Sequence, residues 1–317
     1  MSAGHDDTFH HVRDSSVFEL PQFVLSMLGV DKVELPVIHL PGYDFQLTKF
    51  MVLQIVAGLL TLLVFRSLAK SIAGGKPATG AFANFWESIA IYIRDNVVRP
   101  TLGGHHDEHV VDGHGEHVVH HEGSDHPPKL GHESTDHNPH PEDKHLPFVW
   151  TCFFYILFCN LLGAIPFLGS PTGNINVTGA LAMTAFAMTF IVGTQALGVT
   201  GFFKNLVPPL DAPEPLKTVL TIGIFFLELF GLFIKHGVLA VRLFANIMGG
   251  HTVIGVMLGF IAAILASPYP GLWWIVTPAS IAGQVGIGLL ELFVAFLQAY
   301  VFAFLATIFI GMGSHPH

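Results

Sequence analysis

Three stretches of this chain contain no Asp, Glu, Lys or Arg: residues 147–203, 252–290 and 292–317. Each exceeds the roughly 20 apolar residues that an α-helix needs to cross a hydrocarbon core of about 30 Å. Half of all residues are apolar (51%) and only 12% are charged. These runs make the chain an all-α integral membrane protein. The net charge of −9 says little about partners, because much of the acid sits in the termini and one polar insert.

A first spanning helix is predicted over 48–68, flanked by Lys49 and then by Arg66, Lys70 and Lys76. The positive cluster follows the span, which places residues 1–47 outside the cytoplasm and the loop 69–146 inside. No cleavable signal is expected, since the first residues are polar and His-rich. Within the loop, Phe82, Phe85, Trp86, Ile89, Ile93 and Val97 recur at helical spacing opposite Glu87, Arg94 and Asp95, so residues 82–98 read as an amphipathic helix on the cytoplasmic side. Residues 105–145 are His, Asp, Glu, Gly and Pro without a hydrophobic period, and read as a disordered insert.

Residues 147–317 read as the membrane domain. A second span is predicted over 146–168, a third over 175–203 that is rich in small residues, and further apolar helices over 216–234, 238–266 and 272–311. About five crossings fit the placement of the lysines, with 216–234 only partly inserted. The last helix, about 40 residues or some 60 Å long, is too long to stand upright and must tilt strongly, bend or project. Cys152 and Cys159 lie seven residues apart on one helix face, where they cannot bridge and serve as small apolar packing groups.

The C-terminal half carries few polar side chains of functional weight. Arg242 lies within Val238–Ala245. Sinking a guanidinium to membrane depth costs about 2.5 to 3.5 kcal/mol on insertion scales. Arginine does not release its proton, so no relay runs through it, yet its charge attracts a carboxylate and repels mobile cations. Asn246 is one turn on, and Gln284, Glu291 and Gln298 repeat every seven residues on one stripe of the last helix; the two faces are expected to meet. His251, nine residues past Arg242, lies about 13 Å further along the axis, where Glu291 can reach it from the other direction. A carboxyl and an imidazole together can pass protons near neutral pH. Glu228 and Lys235 fall on the cytoplasmic side, leaving two polar patches separated by a fixed positive charge. The plainer readings are an Arg242 that snorkels to an interface, a Glu291 that is a hydrogen-bonded core carboxyl, a Gln284 that bonds helix to helix, and a Lys235 that only anchors an interface.

Glu228, Lys235, Arg242 and Asn246, spaced by seven, seven and four, together with AVRLFANIMGGH (240–251), FRSLAKSIAGG (65–75), NINVT (174–178) and LELFVAFLQAYVFAFLATIFIGM (290–312), resemble subunit a of the F-type ATP synthase. The resemblance covers most of the chain outside the His-rich insert. It implies that the two long C-terminal helices face a c-ring and that Arg242 is the stator arginine opposite the ring's essential carboxylates, with Gln298 beside it. His251, Asn246 and Glu291 would line the outer half-channel, Asn174 and Asn176 its mouth, and Glu228 the cytoplasmic exit. Implied partners are the c-ring, the subunit b peripheral stalk, the remaining ATP synthase subunits, membrane lipid and protons, with no nucleic acid and no cofactor. Many bacterial members have Glu where this chain has His251 and His where it has Glu291, whereas mitochondrial members resemble the arrangement found here; the exchange keeps one acid and one imidazole. Family members also often have an acid where Asn174 stands. The chain shows no phosphate-cradling motif, so ATP hydrolysis by this chain alone is not expected. Length and polar insert point to a bacterial inner membrane, the His251 and Glu291 order to a mitochondrial one, and the choice of proton or sodium rests on ring residues. A rival of another class is a metal-ion transporter, because His105, His106, His109, His114, His117, His120 and His121 could bind zinc or nickel. Its spanning helices would need His, Asp or Glu pairs at i, i+4, which this chain does not offer.

Overall fold

A computed structural model of the chain describes residues 15–18, 33–40, 43–72, 80–103, 141–165, 168–207, 213, 216–265 and 270–314. Six helices carry the architecture: α1 (Lys49–Ile72), α2 (Ala81–Ile93), α3 (Leu146–Gly163), α4 (Ile175–Asn205), α5 (Leu216–Leu265) and α6 (Trp273–Ser314). All but α2 are long and apolar enough to cross a membrane. The exception to an all-α fold is small: β1 (Val17–Phe18) pairs antiparallel with β2 (Val33–Glu34), and β3 (Val37–Leu40) with β4 (Tyr43–Gln46), where His39 and Asp44 meet at 2.7 Å across the ladder.

Helix α3 forms the centre, with Val149, Phe154, Ile156, Leu157 and Cys159 wholly buried. Both cysteines are free and buried, as packing groups should be. Helix α2 continues through a wide π turn (Arg94–Val98) and a last helical turn, Arg99–Leu102. Only half of its predicted apolar face is buried against protein: Trp86, Ile93 and Val97 are buried while Phe82 and Phe85 are exposed. The Trp86 ring packs on Phe154 and Phe158 at 5.7 and 5.5 Å, Trp150 Nε1 donates to the Ala90 carbonyl at 3.0 Å, and Arg99 pairs with Asp143 at 3.0 Å. The amphipathic helix is thus docked on the bundle as well as facing outward. The expectation of disorder over 105–145 needs correction at its end, since Pro141–His145 form a 3-10 turn that leads into α3. Residues 104–140, with the histidines named above, lie outside the described residues.

Two further expectations are corrected. Helix α4 is broken at Gly198, whose φ of 72° is left-handed. A straight helix would hold Gly193 and Phe202 about 13 Å apart along its axis. Instead the chain folds back, so that Phe202 covers Gly193 and its ring meets Phe190 at 5.3 Å. The separate helices 216–234 and 238–266 are one continuous helix, α5, of 50 residues. Lys235 and His236 suggested a boundary because both are costly in lipid. Both are satisfied without one: Lys235 Nζ donates to Glu228 Oε1 at 3.0 Å, and His236 is 3% exposed, bonded to the Leu232 carbonyl at 2.9 Å. Helices α5 and α6, about 75 and 63 Å long, far exceed the thickness of a hydrocarbon core, so neither crosses upright.

Candidate functional site

The α5–α6 pair builds the site. Asn246 Nδ2 donates to Gln298 Oε1 at 2.8 Å, and His251 Nε2 stands 3.9 Å from Glu291 Oε1. Moving up α5 by five residues moves down α6 by seven, which makes the helices antiparallel and brings the two predicted faces together. Gly250 permits the approach: a Cβ there would lie 3.2 Å from the Glu291 carboxyl. Gly249 does not serve the same purpose, since nothing lies within 4 Å of its Cβ position.

A cavity of about 370 Å³ opens here, lined by Asn246, Gly250, Glu291, Gln298 and, from α3, Asn160. Several buried polar atoms in and beside it, His251 Nε2, Glu291 Oε1 and Gln298 Nε2, have no hydrogen-bond partner among the described residues. Leaving such a group unpaired costs roughly 1–3 kcal/mol, and clustering them around one cavity is the arrangement of a hydrated site. A cavity of this size holds several waters. The buried Gln284 Nε2 has no hydrogen-bond partner among the described residues. Asn174 caps α4, accepting the Asn176 N–H at 2.9 Å, and neither asparagine lines the cavity. The turn before them packs against Ile247 and Met248, which puts their part of the chain at its edge.

A second cavity, about 290 Å³, lies at the other end of the pair, lined by Glu228, Leu232, Thr189, Asn205, Phe309 and Met312 among others. Along α5 its boundary at Leu232 is about 20 Å from Ala245, where the first cavity begins. Leu239, Leu243, Ala299, Phe302, Ala303 and Ala306, each 1% exposed or less, fill the space between. Arg242 belongs to this level but stands outside the packed layer. Its side chain is exposed, on a face shared with the exposed Val238, Val241 and Ala245, and it makes no hydrogen bond or ion pair among the described residues.

Asn160 was missed in the sequence, although it is the single amide of its apolar run and the rarity argument applied to Arg242 would have found it. It is 1% exposed, accepts from Thr172 Oγ1 at 2.8 Å and donates to the Ala295 carbonyl at 3.4 Å, tying α3 to the turn before α4 and to α6. Lys49, expected as a charge flanking the first span, is 1% exposed. No group of three His, Cys, Asp or Glu side chains that could hold a metal is found among the described residues.

The sequence model of the family described as ATP synthase A chain matches residues 132–311. ATP synthase subunit a of Chloroherpeton thalassium is 32% identical over 96% of this chain and 76% of its own length. The protein of the same name from Chlorobium phaeobacteroides strain BS1 is 33% identical over 98% of this chain and 76% of its own length. That of Anaeromyxobacter dehalogenans is 44% identical over 55% of this chain and 43% of its own length.

Proposed function

The chain belongs to the ATP synthase A chain family, and from that premise we propose that it is the stator subunit whose two offset half-channels and exposed arginine couple proton flow to rotation of a c-ring. The observation that carries this reading is the pair of cavities at opposite ends of α5 and α6, with a dry layer between them and Arg242 exposed at the level of that layer.

In this reading the first cavity is the outer half-channel. The gap of 3.9 Å between His251 and Glu291 is too long for a hydrogen bond but closes to one with a small side-chain movement, so a proton steps between an imidazole and a carboxyl when the two side chains meet. The bond between Asn246 and Gln298 holds the inner end of this path. The second cavity, with Glu228 at its wall, is the cytoplasmic half-channel. A ring carboxylate gives its proton to the cytoplasmic side, passes Arg242 as an anion and is reprotonated from the outer side. A unit ion pair at about 4 Å and an effective dielectric near 20 is worth roughly 4 kcal/mol, comparable with about 2.3 kcal/mol per charge for each 100 mV of membrane potential. A much stronger pair would stall the ring.

The exposed apolar face around Arg242 is where the ring docks; subunit b and the remaining subunits complete the complex. The bacterial relatives support a bacterial inner membrane as the location. The test is Arg242→Ala in the assembled complex: ATP-driven proton pumping stops while the complex still assembles. Normal pumping by that variant would remove the stator role.

A further inference from the structure

His236 is a buried titratable group that the proposed proton path leaves unused. It lies six residues before Arg242, about 9 Å lower on α5 and a third of a turn around the helix, facing the bundle. Its ring is held from every side. Phe309 of α6 stands 4.7 Å from it and Phe186 of α4 5.3 Å, centroid to centroid. Its Nδ1 lies 2.9 Å from the Leu232 carbonyl, which can only accept, so Nδ1 carries a proton. Its Nε2 lies 3.5 Å from the Thr189 hydroxyl, which is itself 3.0 Å from the Ala185 carbonyl.

This set of partners accommodates two protonation states. In the neutral ring, Nε2 has a free lone pair and the Thr189 hydroxyl points its hydrogen there. In the charged ring, Nε2–H donates to Thr189 Oγ1, whose own hydrogen turns to the Ala185 carbonyl. Rotation of one hydroxyl therefore satisfies either state of a histidine that is 3% exposed. The hydroxyl is also the connection to water, because Thr189, Leu232 and Phe309 all line the cytoplasmic-side cavity. The charged groups near this floor are Lys235, on His236's own helix, and Glu228, the partner of Lys235 at the cavity wall. Helices α4 and α6 contribute Thr189, Phe186 and Phe309, and no carboxylate is within ion-pair distance of His236 among the described residues.

We propose that His236 and Thr189 form a proton-binding site at the floor of the cytoplasmic-side cavity, whose occupancy opposes the entry of further protons. The inference rests on the reading of that cavity as a proton path. A hydronium ion in the cavity gives a proton to Thr189 Oγ1 while the Thr189 proton passes to Nε2, leaving water, an unchanged hydroxyl and an imidazolium. The new charge sits at the floor of the cavity that Glu228 lines, and its repulsion makes proton uptake from the cytoplasmic side less responsive to acidification.

The test compares pumping by the assembled complex in inverted vesicles, whose cytoplasmic face meets the medium, as the medium is taken from about pH 8 to pH 5.5, the range in which imidazoles titrate. The ratio of His236→Asn to wild-type rates, in which the pH dependence of the catalytic head cancels, stays near one at the alkaline end and rises severalfold at the acid end. Thr189→Val, which closes the path to the ring, behaves like His236→Asn, and Thr189→Ser like wild type. A ratio that is flat with pH would assign His236 a packing role and overturn the proposal. A histidine resonance that titrates in the wild-type complex and vanishes in His236→Asn gives a readout independent of pumping; its absence also overturns the proposal. Arg242→Ala separates the two levels. If that variant pumps, the underlying reading fails, whereas a silent Arg242→Ala with a flat ratio sinks only this site.

Discussion

Replacing Gly250 with alanine tests the closest approach in the outer cavity. The added methyl would lie 3.2 Å from Cδ and Oε1 of Glu291 and 3.6 Å from Oε2. Contacts this close are tighter than most, so the Glu291 carboxyl must retreat by a few tenths of an ångström. In stability the change nearly cancels. The helix gains about 0.8–1.0 kcal/mol when Gly becomes Ala, and a displaced rotamer costs about 0.5–1.5 kcal/mol. Assembly should therefore be normal. Function is more sensitive: a misplacement of 1 Å can lower the rate of a positioned step about 100-fold, which scales to roughly fourfold for about 0.3 Å. ATP-driven pumping in vesicles, normalised to assembled complex, should fall by about that factor in Gly250→Ala. Gly255→Ala is the control, since nothing lies within 4 Å of its Cβ position and it sits on the far side of α5 from Arg242. Equal rates in Gly250→Ala and wild type, or equal losses at both glycines, would refute the placement of Glu291 against α5.

Two other positions carry predictions of stability. Gly193→Ala drives a methyl into the Phe202 ring and to 2.8 Å from the Gly313 carbonyl oxygen, where neither the folded-back end of α4 nor α6 can move easily; overpacking of this kind costs about 1–3 kcal/mol, read as a lower unfolding temperature of the purified subunit in detergent. Asp95 is held below the usual carboxylate value chiefly by its hydrogen bond from Arg94, with the Arg94 and Arg99 charges adding to it against the opposing effect of burial. Its contribution is full above the unfolded value of about 3.9 and is lost as pH falls through the lower folded one. The stability difference between wild type and Asp95→Asn should be at most about 1 kcal/mol, since the group is partly exposed, and should disappear on acidification below about pH 4; a difference that grows with acid would contradict the assignment.

The spanning segments were legible because charge is absent over lengths that only a membrane tolerates. So was the meeting of Asn246 with Gln298 and of His251 with Glu291, since few polar side chains occur in those helices and their spacings fix which faces they share. The continuity of α5 was not. A lysine beside a histidine reads as an interface, and only the pairing with Glu228 two turns earlier and the enclosure by Phe186 and Phe309 shows how both stay in a helix. The break in α4 escaped for a different reason: among the glycines of that segment, the sequence does not single out Gly198 as the residue with positive φ. Asn160 and Thr189 escaped because a lone amide or hydroxyl acquires its role from neighbours distant in sequence, Thr172 and Ala295 in one case and His236 in the other.

The central claim, that two water-filled paths open on opposite sides and do not join, can be read from side-specific labelling. With Cys152 and Cys159 replaced by alanine, Val253→Cys places a thiol in the first cavity and Asn205→Cys one in the second. A small impermeant thiol reagent should modify Val253→Cys only from outside and Asn205→Cys only from the cytoplasmic side. Modification of both from one side would contradict the account.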